Sequence, residues 1–259
     1  MKKTALITGA SSGIGEEFAH YYAKENYNLI LVARSKDKLN KMKTTFQNKY
    51  GTETLVIISD LTKEYSGKTI FKEVKESRYK VDVLVNSAGF ATSGAFNELN
   101  FEKQHQEVMI NATTVMDMCQ LFSQEMIQSK SGTIINVASS SAYHPIPTMA
   151  VYAATKAFVL SFTEALYIEY KNQGIKVIAI SPGATNTNFF DAGGGVSYGK
   201  MRRPSDVVAT TMKGLKRGKL SVIDGKNNFF TSGILPRLRS RNGMATMVGS
   251  IMKKQLSKN

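Results

Sequence analysis

Short apolar runs alternate with longer segments of helical periodicity from the N-terminus to about residue 225. The apolar runs are nearly continuous, which is typical of strands buried on both faces of a parallel sheet. These runs predict strands at 4–8, 29–33, 55–59, 81–85, 133–138, 176–181 and 220–223. The segments between them predict helices at 13–25, 35–50, 65–77, 99–129, 150–172 and 204–217.

Regular alternation of strands and helices favours one architecture. Each strand–helix–strand unit closes as a right-handed crossover, which predicts an α/β doubly wound Rossmann domain. Its parallel sheet has about seven strands, with helices on both faces. Neither a linker nor an internal repeat interrupts the pattern. We therefore expect one domain over 1–225, including a substrate loop at about 189–203, and a C-terminal extension over 226–259.

Composition adds several exclusions. The 259 residues are 42% hydrophobic and 21% charged, as in ordinary soluble proteins. Cys119 stands alone, so no intramolecular disulfide can form, and one Cys with three His gives no reason to expect a metal site. No apolar run reaches the roughly 18 residues of a membrane span. The first apolar run ends at Thr8-Gly9, too early for a signal peptide, so we expect a cytoplasmic location.

The net charge of +14 leaves several interpretations open. It can reflect a solvated basic surface, or attraction of an anionic cofactor or an anionic membrane. The chain has no zinc-finger spacing, RNA-recognition signature or basic heptad region. We therefore expect no nucleic-acid partner.

A glycine cluster follows the first predicted strand and opens the first predicted helix. Glycines at a strand-to-helix turn let the backbone approach a pyrophosphate, and the helix N-terminus supplies N–H donors. The spacing Gly-x-x-x-Gly-x-Gly departs from the commoner Gly-x-Gly-x-x-Gly, and a plain tight turn is the alternative. The predicted dinucleotide-contacting residues are Gly9, Ser11, Ser12, Gly13, Ile14 and Gly15.

Arg34 follows the second predicted strand, where many dinucleotide folds carry an acid that binds the ribose 2′-hydroxyl. A guanidinium there pairs instead with a 2′-phosphate through charge-assisted hydrogen bonds. We therefore predict NADP(H) as the cofactor rather than NAD(H). The alternative is that Arg34 is an ordinary surface residue.

Tyr152 and Lys156 lie one turn apart on one face of a predicted helix, and Ser139 precedes Tyr152 by thirteen residues. A phenol with a pKa near 10 is a poor base at neutral pH, but a nearby ammonium stabilises its phenolate. Beside a nicotinamide, such a pair suits carbonyl reduction or alcohol oxidation. The alternatives are a core tyrosine and a solvated lysine.

Together these motifs resemble the short-chain dehydrogenase/reductase family over about residues 1–225. Ser139, Tyr152 and Lys156 match its active-site trio. Ser87 departs mildly from its Asn-Asn-Ala-Gly motif. The remaining matches are Asp60 and Leu61 after the third strand, Asn86, Ala88 and Gly89 after the fourth, Asn111 on the next helix, and Pro182, Gly183, Thr185 and Thr187.

The resemblance implies roles for these residues. Tyr152 exchanges the proton with the substrate oxygen and Ser139 orients that oxygen. Lys156 also holds the nicotinamide ribose, and Asn111 holds a water that links Lys156 to solvent. The resemblance further implies a homodimer or homotetramer. It is closest to the branch with a C-terminal extension, which includes hydroxysteroid and ketoacyl reductases. A non-catalytic NADP(H)-binding regulator and a membrane-surface adaptor are the competing functions.

The predicted substrate pocket is apolar and has no fixed charge, which favours an apolar carbonyl or alcohol. Its Gly-rich stretch 193–199 is expected to act as a lid. The predicted walls are Phe90, Phe96, Pro145, Ile146, Phe189 and Phe190.

The tail carries a helical stripe at Met244, Met247, Val248, Ile251, Met252 and Gln255. Residues 236–259 contain basic side chains and no acid. Four placements follow from such a helix: contact with an anionic membrane, docking on its own domain, covering the substrate cleft, or packing on another subunit.

Overall fold

The computed structural model describes residues 2–187, 189 and 201–256. The first half alternates strands and helices from the N-terminus onward: β1 Thr4–Thr8, α1 Gly13–Lys24, β2 Asn28–Ala33, α2 Lys36–Tyr50, β3 Thr54–Ile58, α3 Ser66–Glu76, β4 Val83–Asn86, α4 Phe101–Val108 and α5 Thr114–Gln128. The second half continues with β5 Gly132–Val137, α6 Ala150–Tyr170, β6 Ile175–Ser181, α7 Pro204–Lys216, β7 Ser221–Ile223, α8 Lys226–Asn228, α9 Leu235–Leu238 and α10 Arg241–Leu256.

The seven strands form one parallel sheet in the order β3-β2-β1-β4-β5-β6-β7. β1 lies between β2 and β4, with Ile7 opposite Leu31 on one side and Val85 on the other. The predicted doubly wound Rossmann fold is therefore confirmed. The strand order reverses direction at β1 and β4, where ligands bind in folds of this type.

Two buried clusters cover the two faces of the sheet. Successive residues of β1 enter different clusters: Leu6 packs against α5 and α6, whereas Ile7 packs against α1 and α7. Burial on both faces accounts for the unbroken apolar character of the strands. It leaves the carboxyl edge of the sheet as the place for polar chemistry.

The predicted helix 99–129 is interrupted. A π-helical turn at Met109–Thr113 separates α4 from α5. Asn100 caps the N-terminus of α4 by accepting a hydrogen bond from the Lys103 backbone at 2.8 Å. A π turn inserts one extra residue and rotates the side chains that follow, and such turns are frequent at functional sites. Here it contains Asn111. The other predicted strands and helices are present, with ends shifted by no more than two residues.

The tail packs on the domain. Helix α10 places Met244, Val248 and Met252 in a third buried cluster that includes Tyr152 of α6. Within the described residues, no helix is long and apolar enough to cross a membrane.

Candidate active site

A cavity of about 670 Å³ opens at the carboxyl edge of the sheet. Residues that follow β1, β2, β3, β4, β5 and β6 all line it, so every βα connection on this side of the sheet contributes. Most of the predicted site residues lie in this lining: Gly9, Ser11, Ser12, Gly13, Ile14, Arg34, Asp60, Leu61, Ala88, Gly89, Ser139, Tyr152, Lys156, Pro182, Gly183, Thr185 and Thr187.

The glycines form a close backbone cradle at one end of the cavity. Gly9 has a φ of +66°, and a Cβ there would lie 2.8 Å from the Ala88 Cα. Gly13 has a φ of +59°, and a Cβ there would lie 2.7 Å from the Thr187 side chain. Both positions favour glycine, because the left-handed conformation and the close contacts would each strain a side chain there.

Gly15 and Asn86 lie outside the lining of the cavity. A Cβ on Gly15 would lie 2.3 Å from the Gly9 carbonyl oxygen, so this glycine lets α1 pack on the turn. Asn86 is buried, and its Nδ2 donates to Asn136 Oδ1 at 2.9 Å. Both residues support the cradle from behind, and their direct contact with a cofactor stays a prediction.

Arg34 lies exposed at the rim of the cavity, on the same side as Asp60. Asp60 Oδ1 accepts hydrogen bonds from the Thr62 backbone at 3.1 Å and its hydroxyl at 2.8 Å. Burial alone would raise the pKa of Asp60, but the Thr62 bonds and the charge of Arg34 together lower it. The rim therefore pairs an ionised carboxylate with a guanidinium that is accessible to an anion.

Tyr152 and Ser139 meet in the interior of the cavity. Burial is the main cause that raises the pKa of Tyr152 to about 12, while the hydrogen bond with Ser139 lowers it and the charge of Glu107 raises it. Ser139 Oγ also accepts from the Ser141 backbone at 3.0 Å, which fixes its orientation. The phenol is therefore a proton donor at neutral pH in the protein alone.

Lys156 is buried one turn beyond Tyr152, with its Nζ 5.8 Å from the centre of the Tyr152 ring. Its ammonium donates to the Val137 carbonyl at 2.9 Å, at the end of β5. Burial lowers the pKa of Lys156 to about 8, against the opposing charge of Glu107. The sequence predicts that the Lys156 ammonium lowers the pKa of Tyr152. In the structure, burial has the larger effect, and the pKa of Tyr152 is raised.

Asn111 lies behind the cavity and holds one of its walls. Its Oδ1 accepts from the Phe90 backbone at 3.2 Å, and its Nδ2 donates to the Phe90 carbonyl at 2.9 Å. The second Nδ2 proton goes to Thr155 Oγ1 at 3.2 Å. Both amide protons are thereby used on protein groups. The water relay through Asn111 stays a prediction.

The substrate side of the cavity differs from the predicted one. Phe90, Ile146 and Phe189 line it as predicted, and the Phe189 ring lies 5.7 Å from that of Tyr152. The expectation for Phe96 is wrong: its side chain is 65% exposed on the short helix before α4. Pro145 is not part of the lining. Phe190 and the stretch 193–199 lie outside the described residues.

Other apolar side chains line the cavity where Phe96 and Pro145 were expected. Met149 lines the cavity from the turn before α6, and Val248 and Met252 line it from α10. Helix α10 approaches closely because Gly249 has no side chain: a Cβ there would lie 3.2 Å from Pro147 Cγ. Of the four placements open to the tail, the structure shows two together: α10 docks on its own domain and covers the cleft. Lys103 of α4, which is not among the predicted site residues, also lines the cavity.

A family model described as short chain dehydrogenase matches residues 3–193. The chain belongs to the short-chain dehydrogenase family. The match spans the sheet from β1 to β6, the glycine cradle and the Ser139, Tyr152 and Lys156 trio.

Three proteins similar to this short-chain dehydrogenase illustrate the family. An uncharacterized oxidoreductase of Staphylococcus epidermidis is 32% identical over 78% of this chain and 85% of its own length. The very-long-chain 3-oxoacyl-CoA reductase of Bos taurus is 32% identical over 69% of this chain, which spans 58% of that reductase. A short-chain dehydrogenase from Sphingobium yanoikuyae, solved in complex with NADPH, has a TM-score of 0.81 at 30% identity, covering 85% of this chain and 87% of that one.

Proposed function

We propose that this short-chain dehydrogenase interconverts an apolar carbonyl compound and its alcohol with NADP(H), using Tyr152 as the acid and base. The observation that carries the proposal is one cavity, lined at one end by the glycine cradle of Gly9 and Gly13 and further in by Ser139, Tyr152 and Lys156. A glycine turn at a helix N-terminus and a proton donor in a single cavity suit a dinucleotide beside a reacting oxygen.

The described residues fit NADP(H). Gly9 and Gly13 have left-handed backbone conformations at the turn into α1, where the N-terminus of the helix offers N–H donors to a pyrophosphate. Arg34 at the rim suits a 2′-phosphate. The similar Sphingobium enzyme was solved with NADPH, which supports the same choice. When bound, the nicotinamide supplies or accepts the hydride.

The protein's own groups handle the proton. In reduction, the Tyr152 hydroxyl donates its proton to the substrate oxygen, and the raised pKa keeps that proton available at neutral pH. Ser139, which is hydrogen-bonded to Tyr152, orients the same oxygen. The Lys156 ammonium is held towards the cavity by its bond to Val137 and stabilises the phenolate that remains.

The substrate side supports an apolar substrate of considerable length. Met149 and Met252 are flexible side chains that adapt to irregular shapes, and the apolar Val248 lies in the same lining. The similarity to a very-long-chain 3-oxoacyl-CoA reductase agrees with a long acyl group. Steroids, bulky ketones and long-chain ketoacyl thioesters are therefore the substrates to test first, ahead of small sugars.

NADPH oxidation across a panel of aldehydes, apolar ketones, steroids and ketoacyl thioesters tests the reaction, with NADH in parallel. Tyr152→Phe should lower kcat by about 100-fold or more and leave NADPH affinity intact, because it removes only the proton donor. Tyr167→Phe on the same helix is the control, since the Tyr167 hydroxyl bonds the distant Gly218 carbonyl. Full turnover by Tyr152→Phe would end the mechanism.

Cofactor choice has its own test. Arg34→Ala should reduce the preference for NADPH over NADH, whereas Lys36→Ala, also exposed and two residues on, should not. An unchanged ratio would overturn the role of Arg34. Tight NADPH binding without turnover on any compound would favour the regulatory protein instead.

We also propose a homodimer formed through α5 and α6. Met116, Phe158 and Ile168 are large apolar side chains exposed on these helices, and the Phe158 ring stacks on that of Phe162 at 5.6 Å. Sedimentation equilibrium of the protein and of Phe158→Glu would test this, and a monomer in both cases would refute it.

A further inference from the structure

Glu107 of α4 is a fully buried carboxyl that the proposed reaction does not use. Its Oε2 accepts hydrogen bonds from the Thr92 backbone at 3.1 Å and from the Thr92 hydroxyl at 2.6 Å. Its Oε1 is buried without a partner among the described residues. A buried, half-compensated carboxyl opposes folding, and such groups concentrate at functional sites.

Glu107 holds the same loop as Asn111. The two residues lie one turn apart on the helix that runs from α4 into the π turn. Asn111 binds both the N–H and the carbonyl of Phe90, and Glu107 binds Thr92 two residues further along. Phe90 lines the cavity. Two neighbouring side chains therefore fix the backbone of one cavity wall.

Several polar residues lie near Glu107 in the chain or along the loop that it binds. Ser93 follows Thr92 directly, Gln104 lies one turn earlier on α4, and the Thr148 carbonyl accepts from Gly94 at 2.9 Å. Each of Ser93, Gln104 and Thr148 has a buried side-chain oxygen without a described partner. The two hydrogen bonds from Thr92 lower the cost of an ionised Glu107 carboxyl compared with an apolar core.

The charge of Glu107 acts on the two proton-transfer groups. Burial raises the pKa of Glu107, while the Thr92 bonds and the charge of Lys156 oppose the rise. In return, Glu107 raises the pKa of both Lys156 and Tyr152. These two residues are the titratable groups that act with Glu107 from α6, the helix packed on α4. On the loop side, the residue that binds Glu107 is the uncharged Thr92.

We propose that Glu107 is a positioning residue, which fixes the cavity wall through Thr92 and supplies the negative charge that keeps Lys156 an ammonium. Lys156 itself bonds only a neutral carbonyl among the interactions described, that of Val137. A buried ammonium in such a place needs a counter-charge to remain protonated at neutral pH. The expected change in the pH profile of kcat rests on the proposed function. The expected change in the titration of Lys156 does not.

The electrostatic test uses the protein without cofactor. Lysine labelled with ¹³C at Cε gives an NMR titration curve for Lys156, assigned by its loss in Lys156→Arg. Glu107→Gln keeps an oxygen for the two Thr92 bonds and removes the charge. The midpoint for Lys156 should fall by about one pH unit, a tenfold fall in the ratio of ammonium to amine at fixed pH. Glu102→Gln, on the exposed first turn of α4, should leave it unchanged.

Further measurements separate charge from packing. Glu107→Asp should restore most of the midpoint, which a purely steric role would not produce. In Glu107→Gln, the pH profile of kcat should move to lower pH along with Lys156, with KM for the substrate changed little. An unchanged Lys156 midpoint in Glu107→Gln overturns the proposal, whatever the activity. Absence of turnover in the wild type would bear on the proposed function instead.

A measurement on the wild type covers the case in which Glu107→Gln does not fold. The Lys156 signal should show a second, smaller inflection at the acidic pH where the ¹³C-labelled Glu107 carboxyl titrates. A Lys156 curve with no response to that titration would contradict the coupling.

Discussion

Gly9→Ala tests the geometry of the glycine cradle directly. Gly9 has a φ of +66°, and the new Cβ would lie 2.8 Å from the Ala88 Cα and 2.9 Å from the Ala88 N. Both atoms belong to the backbone after β4, so neither can move aside as a side-chain tip would. The substitution therefore strains the local conformation and also pushes apart the two chain segments that frame the cavity.

The two effects have separable magnitudes. A left-handed conformation costs a residue other than glycine about 1–2 kcal/mol. Overpacking against fixed atoms adds roughly 1–3 kcal/mol. Gly51 at the end of α2 provides the matched control, because its φ is +60° and nothing lies within 4 Å of a Cβ there. Gly51→Ala should show the first effect alone.

Thermal and urea unfolding of the two variants, followed by circular dichroism, measures the difference. Each kcal/mol lowers Tm by about 2–4 °C in a chain of this size. Gly9→Ala should therefore melt several degrees below Gly51→Ala and bind NADPH at least ten times more weakly than wild type. Equal destabilisation of the two variants, with NADPH affinity unchanged in both, would refute the close approach of Gly9 to Ala88.

Three further predictions follow from burial and charge. Alcohol oxidation should accelerate as pH rises, since it needs the Tyr152 phenolate and the pKa is raised; a rate independent of pH between about 6 and 9 would contradict this. Cys119 is buried with its pKa raised to about 12, so a thiol reagent at neutral pH should react only after unfolding, and rapid labelling of the native protein would oppose it. Arg202→Leu should lower the free energy of unfolding in urea by roughly 3 kcal/mol, because Arg202 binds the fully buried Asp224 through two nitrogens. A loss under about 0.5 kcal/mol would show that the pair contributes little.

Features written within a few neighbouring residues could be predicted from the sequence. The glycine turn depends on backbone conformation, and the Tyr152–Lys156 pair depends on helical spacing, both of which are local. The alternation of apolar strands and amphipathic helices likewise predicted a doubly wound parallel sheet of about seven strands. Each of these features needs only the short-range geometry of the chain.

Features that depend on a residue far away in the chain could not be predicted from the sequence. Asn86 belongs to a recognisable motif, but its amide is taken by Asn136, fifty residues away. The hydrophobic pattern runs on through 99–129, and nothing in it marks the π turn at Asn111. Glu107 is one charged residue among several on α4, and nothing in the sequence distinguishes it as the buried one that binds Thr92.

The tail shows the same limit, and a pair of substitutions tests its placement. A helical stripe of methionines predicts a face that seeks burial, but not the surface that covers it. In the structure Val248 packs in the cluster with Tyr152 and is 9% exposed, whereas Ile251 on the same helix is 50% exposed. Val248→Asp should lower stability by roughly 3 kcal/mol and raise KM, because it buries a charge against the cavity.

Ile251→Asp should change stability by less than about 0.5 kcal/mol and leave turnover intact. Because the methionine face is already occupied, any binding to anionic vesicles must use the outer face. Co-sedimentation should therefore be weakened by Ile251→Asp and retained by Val248→Asp at a temperature where both are folded. The opposite result, with vesicle binding lost and stability unchanged in Val248→Asp, would mean that the methionine face of α10 leaves the cavity to meet the membrane.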